Sequence, residues 1–395
     1  MALECFSWIT QILCHRYDND EELSFLRRLP DCLLIEILSR LPADCLVGVS
    51  KTLISSRYFS TLHLKRARPL LILHYNRVGT NNEHNLYVFD QSLNKEEEKM
   101  FTEVLLKRNH MINMARNKSH LQYSCEGVLL FTAEYSPRTY AIFNPITQEK
   151  VIVQHKFNPG KLCAFYYCSL TRQFKLIYAQ GKDNRFQYSI YSVRTQTWKR
   201  KISCPTPNLV PNDSPAIGNG AVHLLVGRDL EKPDIPPCAK GILVLNMDKE
   251  EFSNMPHPGS CSSWKLHQTM SLLVKDESLS LCQLFIFDDM MDIWILEDYE
   301  TWSWTKKYKV KLVFNNQGVW RNMRFLHYSY WEVVMYMSWL IKPLHFLDGE
   351  LVFYWYRRGL FMYNVDHNTL RNIQCPHGSA SFTCNTYKKS LLTIA

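Results

Sequence analysis

No two cysteines in this 395-residue chain are spaced Cys-x-x-Cys; the closest pair is Cys163 and Cys168. The total, 13, is odd. A secreted disulfide framework uses an even set at tight spacings, and structural zinc uses paired Cys or Cys/His at short fixed intervals. Neither pattern is present, so reduced, mostly buried thiols are expected, as in cytoplasm or nucleus. Long apolar runs are also missing. The longest, Val333 to Ile341, is broken by Ser338 and falls well short of the ~20 residues that cross a bilayer. Met1-Ala2-Leu3-Glu4-Cys5 has no basic residue before its apolar ones, so a secretory signal is not expected. The reading is therefore of a protein with no membrane partner.

Charge of one sign is nowhere concentrated. The chain carries 46 Lys+Arg against 37 Asp+Glu, net +9. The first 68 residues hold 9 basic and 8 acidic residues, so nearly all of the excess is spread over the remainder. Its densest stretch, Lys306-Lys307-Tyr308-Lys309-Val310-Lys311, reads as a strand face. A nucleic-acid surface would show a clustered stripe, and no nucleic-acid partner is expected.

Catalytic patterns are scarce as well. There is no Gly-x-Ser-x-Gly elbow, no His-Glu-x-x-His and no phosphate loop. Gly218-Asn219-Gly220 reads as a turn before the strand Ala221 to Val226. Asp288, Asp289 and Asp292 could suit a hard cation, but read better as a solvated turn before Ile293-Trp294. His257 with Ser260, or His377 with Ser379, lacks a third orienting group for nucleophilic chemistry. No catalytic residue, metal or cofactor is assigned, and the expectation is a non-enzyme.

What is present is a change of period near Pro69. Before it, Leu29, Leu33, Leu34, Ile37, Leu38 and Leu41 mark one apolar helical stripe. Pro30 and Asp31 suit its start and Pro42 its end. A short helix is expected around Ala43 to Val49, and a third over Lys51 to about His63 with a basic end. After Pro69 the period is two. In Trp302 to Leu312, Trp302, Trp304, Tyr308, Val310 and Leu312 alternate with polar residues, Lys306 being the one exception. Phe186, Tyr188 and Ile190 alternate similarly; so do Phe174, Leu176 and Tyr178, less cleanly because Ile177 is apolar.

The strand region repeats. Apolar strands ending in polar turns place anchors at Phe89, Phe143, Tyr191, Leu245, Leu296 and Tyr363, with gaps of 54, 48, 54, 51 and 67. A unit near 50 residues with several strands suits a propeller blade, and one blade cannot bury both faces of its sheet alone. Six units fit residues 69–395, with an insertion near Trp331 to Pro343; an irregular β-sandwich is the competing reading. The fold class expected is mainly β with a small α module: a 1–23 extension, a 24–68 helical segment and a 69–395 repeat domain of about six blades.

Leu29-Pro30-Asp31-Cys32-Leu33-Leu34-Ile35-Glu36-Ile37-Leu38-Ser39-Arg40-Leu41-Pro42 resembles the opening of an F-box, and Leu53 to Phe59 with His63 to Ala67 resembles its close. Ser124 to Leu130, Phe143-Asn144-Pro145-Ile146-Thr147, Tyr191 to Trp198 and Asp292 to Trp304 resemble the F-box-associated, kelch- or propeller-like domain of the large plant F-box families. The resemblance implies a substrate-recognition subunit of a Skp–cullin–F-box ubiquitin ligase. The F-box would bind a Skp-type adaptor, and through it cullin and RING subunits; the propeller would capture an unknown protein substrate. Carried over by motif, the adaptor contacts would be Leu29, Pro30, Leu33, Ile37, Leu41, Pro42, Leu53 and Ile54, whereas Leu34 and Leu38 would pack inside the helical unit. The chain departs from the pattern at Val49-Ser50-Lys51, where about five residues and a tryptophan are missing; none lies between Trp8 and Trp198. The alternative is therefore a propeller scaffold or decoy outside the ligase. Trp264, Trp320 and Trp331 are conceivable target contacts that read better as core.

Overall fold

Backbone amides and carbonyls must be paired wherever they are buried, and a chain of period-two segments does this by laddering each segment against the next. The computed structural model describes residues 30–46, 56–78, 83–91, 101–104, 119–133, 136–154, 161–182, 185–199, 202–204, 214–227, 241–258, 267, 269–285, 290–312, 341–355, 358–377 and 382–394. Its strands form six antiparallel sheets, five of four strands and one of five. Blades 1 to 6 below are these sheets in chain order.

The chain divides into two compact units: residues 1–156 with 382–395, and residues 157–381. The first holds blades 1 and 2. Blade 2 is a simple meander of Ser119–Cys125, Val128–Ala133, Ser136–Phe143 and Lys150–Gln154. Blade 1 draws on both ends of the chain. Phe382–Tyr387 pairs with Leu70–Val78, followed by Glu83–Phe89 and Phe101–Val104. The hydrogen-bonded ladder from Leu70↔Tyr387 to Tyr75↔Phe382 thus ties the last strand to the first. Ile72, Leu86 and Val88 of blade 1 pack on Leu121, Leu129 and Phe131 of blade 2.

The second unit holds four meanders. Blade 3 runs Lys161–Cys168, Gln173–Lys182 and Arg185–Ser192, with Thr197–Trp198 and Ile202–Cys204 both on its third strand. Blade 4 is Ala216–Gly218, Ala221–Leu225, Ile242–Asn246 and Glu251–Met255. Blade 5 is Met270–Lys275, Ser278–Phe285, Met290–Asp298 and Ser303–Lys311; blade 6 is Ile341–Leu347, Glu350–Trp355, Gly359–Asn364 and Thr369–Ile373. Apolar layers join blades 3 and 4, 4 and 5, and 5 and 6. Middle strands are therefore covered on both faces. That accounts for the imperfect alternation at Ile177, which is buried along with its neighbours Leu176 and Tyr178. At Lys306 the strand is interrupted: a bulge pairs Lys306 with Trp294 and Tyr308 with Ile293, so Trp304 packs toward blade 4 while Tyr308 and Val310 pack toward blade 6. The extra residue there inverts the alternation.

All six sequence anchors lie on the third strand of their sheets. The polar residue after the strand has a definite task. The side-chain oxygens of Asn144, Asn246, Asp298 and Asn364 each accept from the backbone N–H groups two and three residues on. Four residues further the backbone turns left-handed, at Gln148, Glu250, Trp302 and Asn368, as it does at Gln196 in blade 3. The hairpins between first and second strands use two successive positive-φ residues instead: Glu126-Gly127, Asn219-Gly220, Asp276-Glu277 and Asp348-Gly349. Gly218-Asn219-Gly220 is accordingly a turn, as its sequence suggested.

Several expectations change. Asp292 is not in a solvated turn: it is 5% exposed within the third strand of blade 5, and Lys306 Nζ stands 2.6 Å from its Oδ2. Cys32, Cys125, Cys163, Cys168, Cys282, Cys375 and Cys384 carry free thiols, but Cys45 is disulfide-bonded, against the expectation of reduced thiols throughout. Pro343 belongs to the first strand of blade 6; residues 313–340 lie outside the described residues. Of the ambiguous stretch 94–118, Phe101–Val104 is a strand and the rest lies outside the described residues. Among the described residues no helix is long and apolar enough to cross a membrane.

Candidate functional site

The helical segment belongs to the first unit. Helix α1 spans Asp31–Leu38, α2 Ala43–Leu46 and α3 Arg57–Arg66. Pro30 precedes α1 with φ −56°, a value its ring fixes, and its carbonyl accepts the first two turn bonds, from Leu33 and Leu34. Three short helices cannot bury their apolar residues by themselves. Here Leu38, Leu41, Ala43, Leu46 and Phe59 form a core completed by Leu391 from the tail and by Ile146 from the last hairpin of blade 2. Blade and tail thus supply part of the helical segment's interior.

Polar bonds hold that assembly. Asn144, fully buried, donates through Nδ2 to the carbonyls of Ser390 (3.1 Å) and Leu392 (2.8 Å) while its Oδ1 shapes the hairpin. The Ile394 amide donates to Glu149 at 2.7 Å. A Cβ on Gly127, whose φ is +81°, would stand 2.2 Å from the Lys388 carbonyl oxygen. Only glycine allows the tail to lie across that turn. Within the segment, His63 Nε2 donates to the Leu41 carbonyl at 2.9 Å, and burial keeps the ring below its ordinary pKa. Arg66 reaches back from α3 to α1, donating to Glu36 Oε2 (2.8 Å), to the Glu36 carbonyl (3.2 Å) and to Ser39 Oγ. Arg40 joins Glu36 from one turn on, and hydrogen bonds from the two arginines hold the Glu36 carboxyl below the usual carboxylate range.

The remaining apolar residues face outward. Leu33 is 50% exposed, Pro30 and Pro42 are exposed, and Ile37 is half-buried against the core. Leu41 differs from the other expected contacts: at 4% exposure it is part of the core and offers nothing to a partner. Leu34 is partly buried and Leu38 wholly so, both on the inner side. Leu29, Leu53 and Ile54, like the shortened stretch 47–55, lie outside the described residues, as do Trp264, Trp320 and Trp331. The structure adds Tyr58, 68% exposed on α3. Its neighbour Phe59, about 100° round the helix, is fully buried in the core.

The catalytic alternatives find other uses. His257 Nε2 faces His267 Nε2 at 3.1 Å, while the Nδ1 of each ring lies 2.9 Å from a backbone carbonyl, Pro258 and Val226. Ser260 and Ser379 lie outside the described residues. Among the described residues no group of three or more Cys, His, Asp or Glu is placed to hold a metal.

The family described as the F-box associated beta propeller domain matches residues 78–394. The chain belongs to this family. An F-box protein of Arabidopsis thaliana, At4g19940, is 24% identical over 71% of each chain. Among solved structures, TolB from Acinetobacter baumannii aligns with 84% of this chain and 73% of its own at 10% identity and TM-score 0.40. A functionally unknown protein from Desulfotomaculum acetoxidans aligns with 80% and 98% at 9% identity and TM-score 0.41. The six sheets are the blades of a β-propeller, preceded by a small helical segment.

Proposed function

We propose that this protein is a non-catalytic substrate receptor of a Skp–cullin–F-box ubiquitin ligase, acting in cytoplasm or nucleus. The helical segment binds a Skp-type adaptor, which brings cullin and RING subunits, and the propeller holds the protein to be modified. Such a receptor supplies no chemistry; it raises the concentration of a target lysine near the charged ubiquitin carrier. The family and the Arabidopsis F-box relative support the reading. The observation that carries it is the division of the stretch Pro30 to Pro42, helix α1 and its flanks: Leu38 and Leu41 are consumed by the core, while Leu33, Pro30 and Pro42 remain outside it. A half-exposed leucine forgoes part of the 1.5–3 kcal/mol that full burial gives, a sacrifice a helix-in-groove partner makes good. The adaptor contacts are Pro30, Leu33, Ile37 and Pro42, with Leu29, Leu53 and Ile54 carried over from the motif. Co-purification of adaptor with the tagged full-length chain, and its loss on Leu33→Asp, tests the assignment.

The scaffold or decoy reading has one specific support, the missing turn and tryptophan after Val49-Ser50-Lys51. An F-box short of a large aromatic anchor has lost the residue type that most often dominates an interface. It is the correct reading if the folded chain binds targets but no adaptor.

A further inference from the structure

The hairpins linking first to second and third to fourth strands lie at the same end of each meander. Neighbouring blades of the second unit meet there. Cys168, before the first hairpin of blade 3, reaches the Met247 carbonyl in the last hairpin of blade 4 at 3.5 Å. A Cβ on Gly218 would stand 3.7 Å from the Glu277 carbonyl oxygen. Lys275 Nζ lies 5.8 Å from the centre of the Phe346 ring, just before the first hairpin of blade 6.

At this end of blades 5 and 6 the charge of the protein is inverted. The chain is net +9, yet the hairpins of blade 5 expose Asp276, Glu277, Asp298 and Glu300, and those of blade 6 expose Asp348 and Asp366. The bases beside them are already engaged: Lys275 with Asp276, Lys307 with Glu297 and Arg371 with Glu350. The last hairpin of blade 5 also exposes Trp302 (42%), and the start of the fourth strand of blade 6 exposes Leu370 (39%). Trp302 is costly twice over. It leaves ring surface in water, and it occupies a left-handed position, φ 56°, that disfavours bulky side chains. The equivalent residues of blades 2, 3, 4 and 6 are Gln148, Gln196, Glu250 and Asn368. The hairpin itself does not require a tryptophan.

We infer that this end of blades 5 and 6 is the target-docking surface and that its occupant is a basic segment of the target protein. Lysine and arginine combine aliphatic stems with cationic heads. The stems lie on Trp302 and Leu370, the heads reach the surrounding carboxylates, and a guanidinium can also sit over the indole face. Complementary charge of this kind governs partner choice and association rate. The proposal rests on the receptor reading for its biological sense, but the surface can be tested separately.

The probe is a fluorescent Arg/Lys-rich peptide with interspersed leucines, alongside its Arg/Lys→Glu counterpart, titrated into the full-length protein at about 50 and 200 mM salt. Only the basic peptide should bind, and its affinity should fall as salt rises, because exposed charges are screened. Glu300→Lys with Asp366→Lys should weaken binding at least tenfold. Trp302→Asn should weaken it severalfold while leaving the fold at least as stable, since asparagine tolerates the left-handed position. Equal binding of the acidic peptide, or unchanged affinity in both variants, overturns the proposal. Adaptor capture by the same preparations separates the two claims: adaptor binding with no peptide discrimination sinks the surface alone, and the reverse result sinks the receptor reading alone.

Discussion

Asn144 should be the most sensitive single residue of the first unit. Replacing it with alanine removes two bonds to the tail carbonyls of Ser390 and Leu392 and two that its Oδ1 accepts from Ile146 and Thr147. The site is wholly buried, so water cannot take over these partners. A buried polar group left unpaired costs about 1–3 kcal/mol. The bond to Thr147 is long at 3.4 Å and contributes little; the two carbonyls and the Ile146 amide together put the loss at roughly 3–5 kcal/mol. Asn144→Asp is the sharper variant. It keeps the acceptor that shapes the hairpin but turns a carboxylate oxygen toward two carbonyls, so it should free the tail specifically. Because Leu391 lies in the helical core, that release should also loosen α1. Urea unfolding gives the magnitude. Hydrogen exchange of the amides of residues 390–394 and of α1 gives the mechanism, with protection lost in both segments together. Wild-type protection of the tail in Asn144→Asp would refute the idea that this side chain clasps it.

Three further expectations follow from the second unit. Lys175 Nζ and Glu250 Oε1 are 2.6 Å apart with both side chains nearly buried, so Lys175→Met should destabilise by about 3 kcal/mol, and adding Glu250→Leu should recover most of it, as read by a double-mutant cycle in urea; additive losses would refute the pairing. His223 is fully buried against the Ala216 carbonyl and the Tyr299 hydroxyl, and desolvation pulls its pKa down to about 4. The unfolded chain therefore binds this proton first, and stability present above about pH 6.5 should drain away as pH falls toward 4, by about 3 kcal/mol at most; a His223→Gln variant with an unchanged pH profile would contradict this. Glu277 sits at φ 66° where three sister hairpins place glycine, so Glu277→Gly should raise stability by up to about 1 kcal/mol in thermal melts, and a clear loss would show that its side chain makes a structural contact.

The blade repeat was legible because blades 2, 4, 5 and 6 share the same local chemistry after the third strand. An Asn or Asp that bonds its own downstream amides must follow an apolar strand, and that order survives insertions between blades. Trp302 misled the strand count by one residue: alternation gave it to the strand, whereas backbone geometry gives it to the turn. Burial of Ile177 on a doubly covered strand, and the bulge opposite Lys306, are likewise tertiary outcomes that periodicity cannot show. In the helical segment, the exposure of Leu33 and the inward packing of Leu34 and Leu38 agree with the motif, whereas Ile37, expected outside, leans against the core. Leu41 was not legible as buried: it belongs to a core that residues 146 and 391, distant in sequence, help to form. The acidic hairpin end escaped for a similar reason. Its carboxylates are scattered over some 90 residues of a basic chain, and only the blade topology puts them at one end of blades 5 and 6.

The central claim is tested most directly by measuring how tightly the folded full-length protein binds a purified Skp-type adaptor, with Leu33→Asp measured beside it and folding of each verified by thermal unfolding. The account predicts saturable binding by the wild type and at least a tenfold loss in the variant at unchanged stability, since Leu33 lies half outside the core. No binding by the folded wild type, or equal binding by both proteins, would contradict it.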